Sequence, residues 1–111
     1  MRTRSVIAAL LALASCSTHR VTPDKAKKMV EAGARLVDVR TPEEYGSGHL
    51  DGAVNIPVSD LDQRFAELEP KDQPVVVYCA SGFRSARAAK ALSAAGFKDV
   101  GDLGAMDDWP K

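Results

Sequence analysis

One cysteine stands where a buried strand gives way to a helix. The apolar run Val75-Val76-Val77-Tyr78 has no alternation, which is typical of a strand buried on both faces. Cys79-Ala80-Ser81-Gly82-Phe83-Arg84 follows, and an Ala-rich helix is predicted from Ser85 to Ala95. A helix N-terminus directs backbone N–H groups and the positive end of its dipole at the preceding loop. Because that setting lowers a cysteine pKa, the pattern predicts a nucleophilic thiolate at Cys79.

The other loop residues suit an anion. Gly82 can adopt a positive φ, so that the N–H groups of residues 80–85 curl around one point. Arg84 adds a permanent positive charge that can attract an anionic donor. Ser85 can cap the helix. Phe83 is expected to line the pocket mouth or, equally, to pack on the domain surface.

A structural cysteine, a zinc ligand and a protease nucleophile are the alternative roles for Cys79, and each explains the loop sequence less well. A structural core cysteine is common, but it does not account for Gly82 and Arg84 at this spacing. Zinc is disfavoured because there is no cysteine pair and the only histidines are His19 and His49. A cysteine–histidine protease is disfavoured because His49 lies in a Gly-rich turn. We therefore expect neither a metal nor an organic cofactor.

The first residues are typical of a leader rather than of a fold. A basic stretch at 1–4 precedes nine apolar residues at 6–14, which are too few to span a bilayer. Leu13-Ala14-Ser15-Cys16 resembles the lipobox of bacterial lipoproteins, which implies cleavage before Cys16 and lipid attachment to it. A plain signal peptide or a buried hydrophobic helix is the alternative.

These segments predict a domain plan and a location. Residues 1–15 are interpreted as a signal peptide, 16–21 as a lipidated polar tether and 22–111 as one domain. The location is then the cell envelope, with the protein lipid-anchored and facing the periplasm. Ser17 after the lipidated cysteine favours the outer membrane. In that oxidising compartment an unpaired Cys79 indicates a thiol kept for its reactivity.

Helix starts and apolar runs alternate along the rest of the chain. Helices are predicted from Thr22-Pro23-Asp24, from Thr41 with Glu44 as its capping-box residue, and from Ser59 through Leu68. Strands are predicted at 36–39, 53–56, 75–78 and 99–103. The order favours an α/β domain with a small parallel β-sheet flanked by helices, which binds ligands beyond the carboxyl ends of its strands. The formal net charge of zero gives no reason to expect nucleic acid as a partner.

Several fragments in this order resemble the single-domain rhodanese family: 36–40, Glu44-Tyr45, 48–50, 52–53, 55–57 and Cys79-x-x-Gly82-x-Arg84-Ser85. The resemblance implies sulfur transfer, in which Cys79 takes a sulfane sulfur from an anion such as thiosulfate and passes it to cyanide or a thiol. It implies that Ala80, Ser81, Gly82, Phe83, Arg84 and Ser85 cradle the persulfide. It also implies that Asp38 and Arg40 support the loop, which we interpret as a structural ion pair.

Two rival functions remain open. Related phosphatases have a loop one residue longer, so the short form here disfavours a cysteine-dependent phosphatase or arsenate reductase. Many relatives carry a basic residue after the cysteine, where this chain has Ala80-Ser81. That lost charge motivates the second rival, a non-catalytic or redox-sensing module that binds a partner.

Overall fold

The computed structural model describes residues 17–111. The predicted signal peptide, its cleavage site and Cys16 lie outside the described residues. Within the described part of the chain, no helix has the length and apolar character needed to cross a membrane.

Five parallel strands form one sheet in the order β1-β5-β4-β2-β3. Their ranges are Ser17–Arg20 (β1), Arg35–Asp38 (β2), Val54–Asn55 (β3), Val75–Cys79 (β4) and Asp99–Ala105 (β5). Every residue of the central strand β4 is buried, as its unbroken apolar run predicts. The predicted α/β class with a parallel sheet is confirmed.

Within residues 17–111 the α-helices are Pro23–Glu31 (α1), Pro42–Gly46 (α2) and Phe83–Ala94 (α3). Thr22 caps α1 by accepting the Lys25 N–H at 3.1 Å. Thr41 and Glu44 form the predicted capping box on α2. Both helices therefore start at the predicted positions, each with a threonine cap, a proline and an acidic residue in its first turn.

The helix predicted from Ser59 through Leu68 is wrong. The segment forms two 3₁₀ helices, Val58–Gln63 and Phe65–Leu68, separated by Arg64 in a non-helical conformation. The second 3₁₀ helix stops before Glu69, which is extended because it precedes a proline. The helical segment therefore cannot continue past Leu68. A third 3₁₀ helix, Met106–Asp108, follows β5.

The polar tether predicted before the domain is also wrong over Ser17–Arg20. These residues form β1 and pair along β5, with Thr18 opposite Val100 and Arg20 opposite Asp102. Val21, included in the predicted tether, is buried. The edge of a sheet has unpaired N–H and C=O groups, and β1 pairs with those of β5. An edge strand can be polar because one of its sides faces water.

Alternate residues of β4 face two separate cores. Val75, Val77 and Cys79 belong to the core that includes Ala88, Ala89 and Leu92 of α3. Val76 and Tyr78 belong to the core that includes Ala26 of α1. Because β4 ends at Cys79 and α3 starts at Phe83, the loop between them is fixed at both ends by buried structure.

Candidate active site

The sulfur of Cys79 lies inside a ring of backbone donors. The Gly82 N–H donates to Cys79 Sγ at 3.0 Å and the Ser85 N–H donates at 3.4 Å. Cys79 is fully buried, so these donors act without competition from water. The predicted arrangement of N–H groups around one sulfur is therefore present.

Gly82 makes this ring possible. It is the N-cap of α3 and has φ +104°, a conformation that side chains disfavour. The helix begins at Phe83, so the expected cap by Ser85 is wrong. Ser85 instead lies buried in the first turn, where its hydroxyl donates to the Gly82 carbonyl at 3.1 Å. The left-handed turn at Gly82 starts the helix early enough to bring the Ser85 N–H to the sulfur.

Opposing effects set the pKa of Cys79. Burial raises the pKa, while hydrogen bonds from the Ser85 side chain and from the N–H groups of Ser85, Gly82 and Ser81 lower it. The result is a pKa below the ordinary thiol value. The Ser85 hydroxyl donates to the Gly82 carbonyl in this structure, and it would have to rotate to donate to a Cys79 thiolate.

Ser85→Ala is expected to raise the Cys79 pKa, because one donor that favours the thiolate is lost. Thiolate forms as pH rises through the pKa, so the pH profile of Cys79 alkylation should shift to higher pH. Ser93→Ala on the same helix is the matched control and should leave the midpoint unchanged. An unshifted midpoint in Ser85→Ala would show that the backbone donors suffice.

Arg84 is ion-paired rather than free. Its guanidinium donates to the two carboxylate oxygens of Glu44 at 2.7 and 3.0 Å. Arg84 and then the Thr41 N–H lower the pKa of Glu44 to about 2, so the carboxylate stays charged. That Arg84 attracts an anionic donor stays a prediction, and Glu44 neutralises part of the charge with which it would do so. The pair joins the Cys79 loop to α2.

Phe83 does not pack on the domain surface. Its side chain is 85% exposed. It borders a cavity of about 320 Å³, whose lining residues are Arg20, Ser81, Gly82, Phe83 and Ala86. The geometry agrees with the expectation that Phe83 lines the mouth of a pocket beside the loop.

Asp38 and Arg40 form a buried pair that does not contact Cys79. Arg40 donates from Nε and Nη2 to the Asp38 carboxylate at 2.7 to 3.1 Å, and this hydrogen bonding raises the Arg40 pKa. Nη2 also donates to the Gly48 carbonyl at 2.7 Å. The Asn55 amide donates to the carbonyls of Asp38 and Arg40. The pair thus fixes the end of β2 and the following turn, in agreement with a structural role.

Tyr78 connects that turn to the nucleophile, and the sequence analysis did not single it out. Its hydroxyl accepts the Leu50 N–H at 3.1 Å, and the Arg40 guanidinium lies 5.9 Å from its ring centre. Burial raises the Tyr78 pKa, so the phenol stays neutral. The sequence signal that could have identified Tyr78 is its position immediately before Cys79 in a buried strand.

His49 acts within its own turn. It hydrogen-bonds the Tyr45 carbonyl through Nδ1 at 2.9 Å and stacks on the Tyr45 ring at 3.7 Å.

A second cavity, also of about 320 Å³, lies near the amino end of β2, where its lining includes Gly33, Arg35, Val54 and Glu67. Its lining residues include neither a cysteine nor a histidine.

Known proteins are similar to this chain in sequence and in fold. A family model described as Rhodanese-like domain matches residues 22–111. The uncharacterized protein YqhL of Bacillus subtilis (strain 168) is 44% identical over 77 residues, which cover 68% of this chain but only 60% of YqhL. Thiosulfate sulfurtransferase PspE of Escherichia coli (strain K12) is 39% identical over 80 residues, which cover 71% of this chain and 77% of PspE. A solved structure described as a rhodanese with anions from E. coli has a TM-score of 0.66 and 37% identity, covering 70% of this chain and 95% of that one.

Proposed function

This chain belongs to the rhodanese-like family, whose members include proteins named thiosulfate sulfurtransferase, and we propose that it transfers sulfane sulfur through a persulfide on Cys79. The observation that carries the proposal is the pair of N–H donors at the buried sulfur, from Gly82 and Ser85. The lowered pKa of Cys79 adds to it, because the thiolate is the nucleophile.

The proposed reaction balances in two steps. The Cys79 thiolate attacks the outer sulfur of thiosulfate, the sulfur–sulfur bond of the donor breaks, and sulfite leaves with the electron pair. The new Cys79 persulfide carries its negative charge on the outer sulfur. Cyanide or a thiolate then attacks that outer sulfur, and the Cys79 thiolate leaves again. Neither step consumes a net proton or an external oxidant.

The loop supports this chemistry through hydrogen bonding. A persulfide anion needs donors that are already in place, since an ordered ring of N–H groups stabilises charge without reorganisation. The first turn of α3 supplies such groups together with the helix dipole. The six residues from Cys79 to Arg84 leave a small ring, which suits one sulfur atom better than a tetrahedral phosphate.

A persulfide assay tests the proposal. Reduced protein is mixed with thiosulfate, and intact mass should increase by one sulfur atom. Cyanide should then remove that atom and release thiocyanate. No added sulfur from thiosulfate or from a wider panel of donors would contradict the proposal. Cys79-dependent hydrolysis of an aryl phosphate would favour the phosphatase, and partner binding without any transfer would favour the binding module.

A further inference from the structure

Arg20, at the end of β1, is near the Cys79 loop although it is 59 positions away in the sequence. It lines the cavity of about 320 Å³ together with Ser81, Gly82, Phe83 and Ala86. Gly82 is also the residue whose N–H reaches the sulfur. The cavity therefore borders a loop residue that donates to the sulfur of Cys79, and it has a cation in its wall.

Two contacts hold the Arg20 side chain in this place. Nη2 donates to the Leu103 carbonyl at 3.3 Å. The guanidinium also lies against Gly104, where an added Cβ would come within 2.7 Å of Nη2. Gly104 thus lets the guanidinium approach the backbone at the carboxyl end of β5.

Within residues 17–111 the Arg20 guanidinium forms no ion pair. Arg84 is paired with Glu44 and Arg40 with Asp38, whereas within residues 17–111 no carboxylate oxygen lies within 4.0 Å of the Arg20 guanidinium. Asp102, opposite Arg20 in the strand register, is buried, and its Oδ1 has no hydrogen-bond partner. A guanidinium has five N–H donors, so most of those on Arg20 remain for an oxyanion.

We propose that Arg20 and this cavity form a subsite for the sulfonate end of an anionic sulfur donor. The donor identity rests on the proposed function, but the anion subsite does not. Arg20 then supplies from β1 the positive charge that Ala80 and Ser81 do not supply from the loop. A thiosulfate bound there has its oxygens toward the guanidinium, which leaves its outer sulfur for Cys79.

Binding without turnover provides the first test. In a Cys79→Ser background, thiosulfate and sulfate are titrated by calorimetry into protein carrying Arg20, Arg20→Gln or Arg87→Gln. Arg87 is an exposed cation on α3, and its removal controls for a change in net charge. We expect Arg20→Gln to weaken binding of both anions about tenfold and Arg87→Gln to change it less than twofold. Equal affinities in the two variants, or no binding to the protein that keeps Arg20, would overturn the subsite.

Kinetics separates this inference from the proposed function. With Cys79 present, Arg20→Gln should raise the KM for thiosulfate about tenfold while kcat changes little, and Arg20→Lys should be intermediate. An unchanged KM in a normally folded Arg20→Gln protein would remove the subsite and leave the sulfur transfer intact. Conversely, Arg20-dependent anion binding in a protein that forms no persulfide would leave the subsite standing and contradict the proposed function.

Discussion

Cys79→Ser is expected to abolish sulfur transfer, with turnover of thiosulfate and cyanide falling at least about a thousandfold. A hydroxyl oxygen cannot accept a sulfane sulfur as a stable anionic persulfide, so the first bond of the reaction cannot form. The donors to the sulfur position come from the backbone of Gly82 and from Ser85, which remain in the variant. The measurement is thiocyanate release, with intact mass as the second readout.

Two controls keep this result interpretable. The variant should unfold near the same urea concentration as the parent, because serine differs from cysteine by one atom and its oxygen can accept the N–H groups that now donate to the sulfur. Ser85→Ala, which retains the nucleophile, should still acquire one sulfur atom. Turnover that survives in Cys79→Ser would mean that another group carries the sulfur and would remove the proposed mechanism.

Asp38→Ala is expected to lower the free energy of unfolding by about 3–5 kcal/mol. The Asp38 side chain is fully buried and that of Arg40 is only 7% exposed, so the variant leaves a guanidinium charge with little access to water. The Asp38 carboxylate also accepts the Arg40 backbone N–H at 2.9 Å, and that bond is lost as well. Urea unfolding measures the loss as a lower midpoint at a similar m-value.

The exposed pair between Arg64 and Glu67 provides the matched control. Its atoms approach to 2.6 Å, as closely as those of the buried pair, but the side chains are 35% and 52% exposed. Glu67→Ala should therefore leave the unfolding midpoint unchanged, since water screens the charge that remains. A similar loss in both variants would show that burial does not determine the effect of the Asp38–Arg40 pair.

Local signals in the sequence were enough to predict the centre of the fold. The apolar run from Val75 to Tyr78 indicated a strand covered on both faces, and Gly82 after Cys79 indicated a turn with unusual backbone freedom. The two Thr-Pro helix starts depend on hydrogen bonds within four residues, which proximity in the sequence determines. The nucleophile and its backbone donors were predictable for the same reason.

The contacts that tune the site could not be predicted, because each joins distant parts of the chain. Arg84 and Glu44 are 40 positions apart, and Arg20 and Leu103 are 83 apart. Strand β1 has too few apolar residues to be recognised, since an edge strand needs only backbone pairing with β5. A polar segment of four residues therefore looked like a tether until its partner strand was known.

The direction of β1 determines which edge of the sheet lies near Ser17 and which carries Cys79. All five strands run parallel, so Ser17 lies at the amino edge of the sheet and Cys79 at the opposite, carboxyl edge. We propose that a lipid on Cys16, the residue before β1 in the sequence, would place the amino edge of the sheet on the membrane side. The reactive sulfur would then lie about 17 Å from the level of Ser17, because Val75 is one residue step beyond that level and Cys79 is four steps further along β4. Water-soluble donors would reach it, whereas faster loading of Cys79 by a donor confined to the lipid phase would contradict this orientation.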